Sequence, residues 1–147
     1  MGRLQMLNRI VEGVFIGFMA INSTVAQVNP DINLMACMVQ AEAGNQIEDG
    51  QRLVIDCVLN RMESEYFPDT VSEVINAPGQ FEVVANGAIR KATPTDAIYD
   101  LIRQERKERT NNEVIYFTAG GFNPSGEPWQ KIGDHYFSTI RKDLKDD

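Results

Sequence analysis

One histidine in 147 residues, His135, removes several chemistries at once. Catalytic zinc is usually held by three protein ligands rich in histidine, and neither a CxxC nor an HExxH spacing is present to supply them. No metal is expected. The chain also lacks GxxxxGK[ST] and GxGxxG, the glycine loops that cradle phosphates, so nucleotides are not expected and no cofactor is called for. There is no GxSxG elbow, although a serine working with His135 stays open. Positive charge is scarce, with 14 Lys and Arg against 21 Asp and Glu, a net charge of −7. Nucleic acids and anionic membrane surfaces are gripped mainly through Lys and Arg on phosphate, so neither is an expected partner. Polysaccharides are held by hydroxyl hydrogen bonds and stacking on aromatic faces, and the charge does not exclude them. Long hydrophobic runs are missing as well. The run from Ile10 to Ile21 is interrupted by Glu12 and is too short to span a bilayer, which needs about 20 residues, so stable membrane insertion is not expected. No internal repeat, low-complexity segment or heptad register appears.

What is present fits one globular domain: 43% of the residues are apolar, enough for a real core at this length. Residues 1–30 stand apart as a hydrophobic extension. Arg3 and Arg9 before the apolar run, and the small residues of 23–26 after it, outline an export signal. Leu7, Ile10, Val11, Val14, Phe15 and Phe18 equally follow the three- and four-residue steps of a packed helix. Residues 31–147 form the remaining domain. Its cysteines, Cys37 and Cys57, are read as two packed thiols on consecutive antiparallel helices; a disulfide is the alternative in a secreted protein, and a Cys nucleophile paired with His135 is a third arrangement.

Punctuation divides this domain into short elements. Asn29 and Pro30 open a first helix at about residues 31–43, and Glu48 and Asp49 open a second reaching about Glu65. The short link makes the two antiparallel neighbours, with Gly50 expected to let their backbones approach closely. Residues 67–70 cap a short helix through Val74 and Ile75 that Pro78-Gly79 ends, and residues 80–84 read as a strand. Thr93, Pro94, Thr95 and Asp96 start a helix expected to reach about Arg109. Residues 114–118 are the clearest strand, with 134–139 as its partner and a Gly- and Pro-rich loop between them. The result is an α+β domain: a helical lobe beside a small antiparallel sheet.

Glu42 is the anomaly. Counting from Met35, Met38 and Glu42 follow at the third and seventh positions, with Leu34 and Val39 alongside, so a carboxylate continues the stripe that should face the interior. It also lies in the last turn of its helix, before Gly44 as a C′ residue, where free carbonyls and the negative dipole end disfavour ionisation. Both effects raise its pKa, and a carboxylic acid kept protonated near neutrality can serve as the general acid of glycosidic cleavage. The alternative is a structural Glu paired with an Arg or capping a backbone amide.

Ala41 to Asn45, Gly50-Gln51, Leu59-Asn60-Arg61, Phe67-Pro68, Val71, Val74-Ile75, Gly79-Gln80-Phe81, Phe117 through Gly121 and Gly133 through Phe137 occur in an order and spacing that resemble the cell wall hydrolase family typified by the spore-cortex-lytic enzyme SleB. The resemblance runs from about Leu34 to Arg141. It implies a lysozyme-like fold acting on peptidoglycan, with Glu42 on the family's catalytic glutamate. Characterised members behave as lytic transglycosylases, cutting between N-acetylmuramic acid and N-acetylglucosamine. The Glu protonates the glycosidic oxygen, then as carboxylate takes the proton of the muramic C6 hydroxyl, closing a 1,6-anhydro ring. One carboxylate suffices for this, whereas hydrolytic glycosidases usually need two.

Glu48, Asp49, Glu82 and Asp134 are the candidates for a second acid, the first two reading as solvated helix-start residues. The candidate substrate-binding residues are Gln80 and Phe81 after the Gly turn, Tyr116 and Thr118 on one side of a strand, His135, and Trp129 in the loop; each has packing or structure as its other reading. Arg61 is expected to bind backbone or an acid. A hydrolytic muramidase with a second carboxylate, a Cys/His peptidoglycan amidase or endopeptidase, and a silent wall-binding module remain as alternatives. A monomer is expected, acting at the extracellular wall or as a phage lysin reaching the wall from inside. With no separate wall-binding domain in view, affinity is expected to come from this one cleft or from a partner.

Overall fold

The structure, a computed structural model, describes residues 28–144. The expectations for the apolar run and the export signal before residue 28 lie outside the described residues.

Helix α1 spans Pro30–Ala43. The Asn29 side chain accepts from the Asp31 N–H at 2.9 Å, and Pro30 occupies the first turn, where a missing N–H costs nothing. Met35, Ala36, Met38, Val39 and Ala43 form its buried face. Helix α2, Glu48–Glu63, is the centre of the molecule: every residue from Leu53 to Arg61 is buried, and it touches α1, α3 (Val71–Asn76), α5 (Asp96–Glu105) and strand β1 (Val114–Thr118). A helix enclosed on all sides must find partners for its polar residues. Asp56 Oδ2 accepts the Asn111 N–H at 2.8 Å, Asn60 Nδ2 donates to the carbonyls of Asn111 and Val114, and Arg61 Nε donates to the Ile115 carbonyl at 2.6 Å. These contacts dock the chain leading into β1 onto α2.

The sheet has the order β1-β3-β2, antiparallel throughout, with β2 at Glu127–Ile132 and β3 at His135–Thr139. The pairing of residues 114–118 with 134–139 is as expected, and so is the α+β architecture. Four local expectations need correction. The loop between the strands contains β2, which carries Pro128 and Trp129; its four central residues are all exposed, so it offers no alternation to read. As an edge strand with a bulge between Pro128 and Gln130, it tolerates the proline. Residues 80–84 are not a strand. Phe81 caps a single helical turn, α4, at Glu82–Ala85, in which the Val84 and Asn86 N–H groups bond locally to the Phe81 and Glu82 carbonyls while Phe81 and Val83 are still buried.

Helix α5 stops at Glu105 rather than Arg109. The buried Glu105 carboxylate takes the Thr110 N–H and hydroxyl, and Arg109 Nη1 donates back to the Glu105 carbonyl, so the chain folds over its own helix end. Gly50 does not mediate a close helix approach: a Cβ there would meet Gln46 Cβ at 3.4 Å and Ile132 Cγ2 at 3.8 Å, near ordinary contact.

Candidate active site

Glu42 is half-buried in the last turn of α1, a turn without a basic residue. No ion pair reaches it among the described residues. Burial holds its carboxyl above the usual carboxylate range; the Val83 backbone N–H opposes this, and the nearby Glu82 carboxylate adds to it. Val83 is in the first turn of α4, where amides have no partner within the helix, and this is why one is free for Glu42. Gly44 does not adopt the left-handed C′ conformation expected of it. It stays right-handed, and a Cβ would run into the side chain and carbonyl of Gln40.

The segment 80–83 therefore lies against the acid, and Arg61 supports it. The Arg61 guanidinium is buried between three rings, 5.1 Å from Phe67, 5.1 Å from Phe81 and 5.4 Å from Tyr116. Beyond the Ile115 carbonyl, it donates through Nη1 to Gln80 Oε1 at 3.2 Å. Burial lowers its pKa from the ordinary value, yet an arginine remains charged. The expectation of a backbone-binding arginine is met.

Phe81 is buried, and its ring centroid lies 5.8 Å from that of Phe117, which in turn lies 5.2 Å from the His135 ring. His135 is itself buried, with Phe137 on a further side. Burial lowers its pKa, with Asp134 acting the other way, so it is neutral at pH 7; its Nδ1 has no hydrogen-bond partner among the described residues. A second tie closes the frame. Gln46, just past Glu42, donates through Nε2 to Asp134 Oδ2 at 3.0 Å and accepts the Asp134 N–H at 3.0 Å, pinning the β2–β3 turn to the end of α1.

Gln80, Phe81 and His135 are thus joined through Arg61 and Phe117, and Glu42 meets the same segment at the Val83 amide, two residues beyond Phe81. Tyr116 and Thr118 are not on the same side of the sheet as His135. Phe117 pairs with Phe137, two residues from His135, whereas Tyr116 and Thr118 pair with Ser138 and Tyr136 on the opposite face. Tyr116 packs edge-on against Phe67 at 6.0 Å, and the Thr118 hydroxyl donates to the Gly121 carbonyl. Trp129 is 42% exposed on β2, with no hydrogen bond or ring contact to Glu42.

Among the candidate second acids, Glu48 is held by Arg52 at 2.6 Å, Asp49 is exposed at the start of α2, and Asp134 is engaged by Gln46. Glu82 is the one whose charge reaches Glu42. The arrangement a thiol nucleophile needs is absent: Cys37 and Cys57 are free, burial pushes both thiols up, Cys57 is fully enclosed, and neither hydrogen-bonds His135 among the described residues.

Sequence reasoning missed the Val83 amide and the Gln46–Asp134 tie. A backbone donor leaves no trace in side-chain identity, and Gln46 carries no pattern that marks it.

Residues 45–138 match the family model described as cell wall hydrolase, a span that begins just after Glu42. The chain is 38% identical over 116 residues to a spore cortex-lytic enzyme of Oceanobacillus iheyensis, covering 73% of this chain and 41% of that protein. It is 33% identical over 121 residues to that of Bacillus subtilis, covering 74% and 37%. It therefore spans about two fifths of the length of these curated relatives. Among solved structures, the catalytic domain of the germination-specific lytic transglycosylase SleB from Bacillus anthracis superposes with a TM-score of 0.64 at 30% identity, over 74% of this chain and 93% of that one. The catalytic domain of the Bacillus cereus SleB protein gives 0.64 at 32%, over 74% and 89%. The chain shares with them an α+β, lysozyme-like fold.

Proposed function

Because the chain belongs to the cell wall hydrolase family, we propose that it cleaves the glycan strand of peptidoglycan between N-acetylmuramic acid and N-acetylglucosamine, as a lytic transglycosylase with Glu42 as its acid and base. The observation that carries this is the state of Glu42: half-buried, above the usual carboxylate range, without a basic partner among the described residues, and beside a free backbone amide. Raised in this way, the carboxyl can protonate the glycosidic oxygen. Once ionised, it is stabilised by the Val83 N–H and can take the proton of the muramic C6 hydroxyl, whose oxygen then closes the 1,6-anhydro ring. The substrate's own hydroxyl replaces a second catalytic carboxylate.

Glu82 supports a second reading. A carboxylate near enough to raise Glu42's pKa could activate water, and the enzyme would then be a hydrolytic muramidase. The cell wall, reached from outside or by a phage lysin from inside, is the site of action in either case, and the proposed acting unit is a monomer.

Glu42→Gln keeps the shape and removes the transferable proton. Release of soluble muropeptides from purified peptidoglycan should fall by about 10²–10⁴, with the circular dichroism spectrum unchanged. A Glu42→Gln protein with wild-type release contradicts the assignment.

A further inference from the structure

Gln80 is exposed, yet one end of its side chain is held. Its Oε1 accepts from Arg61 Nη1 at 3.2 Å. A guanidinium carries only donors, so the amide end that meets it must be the oxygen. The chemistry settles an orientation that O and N positions alone leave ambiguous. Nε2 makes no hydrogen bond among the described residues, so the amide turns its two N–H donors outward. Arg61 is itself fixed by its bond to the Ile115 carbonyl and by the rings of Phe67, Phe81 and Tyr116. Only Phe81 and Glu82 separate Gln80 from Val83, whose N–H meets Glu42, so the backbone gap is at most about 11 Å. That is the scale of neighbouring sugars on a strand held at the acid.

We propose that Gln80 binds the glycan by donating to the acetamido carbonyl of an N-acetylated sugar, and that Arg61 is the positioning residue that aims it. The inference rests on the proposed function and names a recognition element of that same site. The outward end of Gln80 can only donate, so it needs an acceptor. The acetamido carbonyl is one, and a stronger acceptor than a hydroxyl, whereas the ammonium of a de-N-acetylated sugar carries only donors and is refused.

The test compares full-length wild type, Gln80→Ala and Gln80→Glu on three substrates: N-acetylated peptidoglycan, the same material chemically de-N-acetylated, and that material re-acetylated. Gln80→Glu is the informative variant, because it keeps and strengthens the acceptor for Arg61 while removing the N–H donors. Both variants should lose roughly ten-fold in kcat/KM on the N-acetylated and re-acetylated strands, mostly through KM, and nearly match wild type on the de-N-acetylated strand. Full activity of Gln80→Glu on the N-acetylated strand would reduce Gln80 to a tether and overturn the inference. So would an equal loss on all three substrates, or no loss in either variant. A wild-type chain inactive on every substrate would overturn the proposed function, and the inference with it.

Discussion

In the proposed reaction Glu42 must give up a proton and then recover one within each turnover, so the groups that set its pKa also set the working pH range. Burial raises it, the Val83 amide restrains it, and Glu82 raises it further as a like charge. The protonated form starts the reaction, so the rate should fall as pH rises through this raised pKa. Glu82→Gln removes the like charge and lowers the pKa, and the alkaline limb of the kcat/KM profile should move to lower pH while activity at the optimum is kept within about ten-fold. A larger loss, with no shift of the limb, would instead make Glu82 the second catalytic carboxylate. Burial holds His135 below its ordinary pKa, which disfavours a positive charge there near pH 7.

At the level of elements, the site depends on how the β2–β3 turn meets the end of α1. Gly133 has φ +56°, which favours glycine, and a Cβ there would run into Gln46 Oε1, the far end of a side chain that would have to move. Gly133→Ala should cost about 1–2 kcal/mol from backbone strain alone, measured by chemical denaturation. Activity should fall further than this stability loss implies, because the Gln46–Asp134 tie that frames Glu42 is displaced; wild-type activity in a destabilised variant would show that the tie does not position the acid. What the sequence made legible here follows from periodicity. The stripe of Met35, Met38 and Glu42, the caps at Asn29, Thr70 and Thr95, and the β-branched and aromatic run of residues 114–118 are all local patterns, and each appears in the fold as helix face, cap or strand. Strand β2 has no alternation, since it lies exposed at an edge. Turn α4 buries Phe81 and Val83, a spacing of two that mimics a strand, while its Val84 and Asn86 amides bond within the turn rather than to a neighbouring strand. The approach of Val83 and Glu82 to Glu42 depends on this turn, so the detailed site was no more readable than the turn itself.

For the molecule as a whole, stability is tied to a buried acid pair on the far side of α2. Burial and then the neighbouring Glu105 carboxylate push Asp56 up to about 8. Burial would also raise Glu105, but bonds from Asp56, Arg52 and Thr110 outweigh it and hold Glu105 below the usual carboxylate range. The two share one proton. Asp56 is protonated in the folded state well above its unfolded value of 3.8, so its contribution to stability is complete below about pH 4 and is lost as pH rises through about 8. Asp56→Asn keeps a donor toward Glu105 and an acceptor for the Asn111 N–H without a titrating proton. Its urea midpoint should change less between pH 6 and 9 than that of wild type; parallel profiles would remove Asp56 as the cause. These bonds hold the chain into β1, the strand whose Phe117 packs against Phe81, two residues before Val83. If a single carboxyl cleaves the strand with the substrate's own hydroxyl as nucleophile, no oxygen from water enters the product. The most direct measurement is mass spectrometry of muropeptides released in heavy-oxygen water. The expected products are 1,6-anhydro-muramic ends carrying no label. Reducing ends that carry the heavy oxygen would contradict it and assign the cut to hydrolysis.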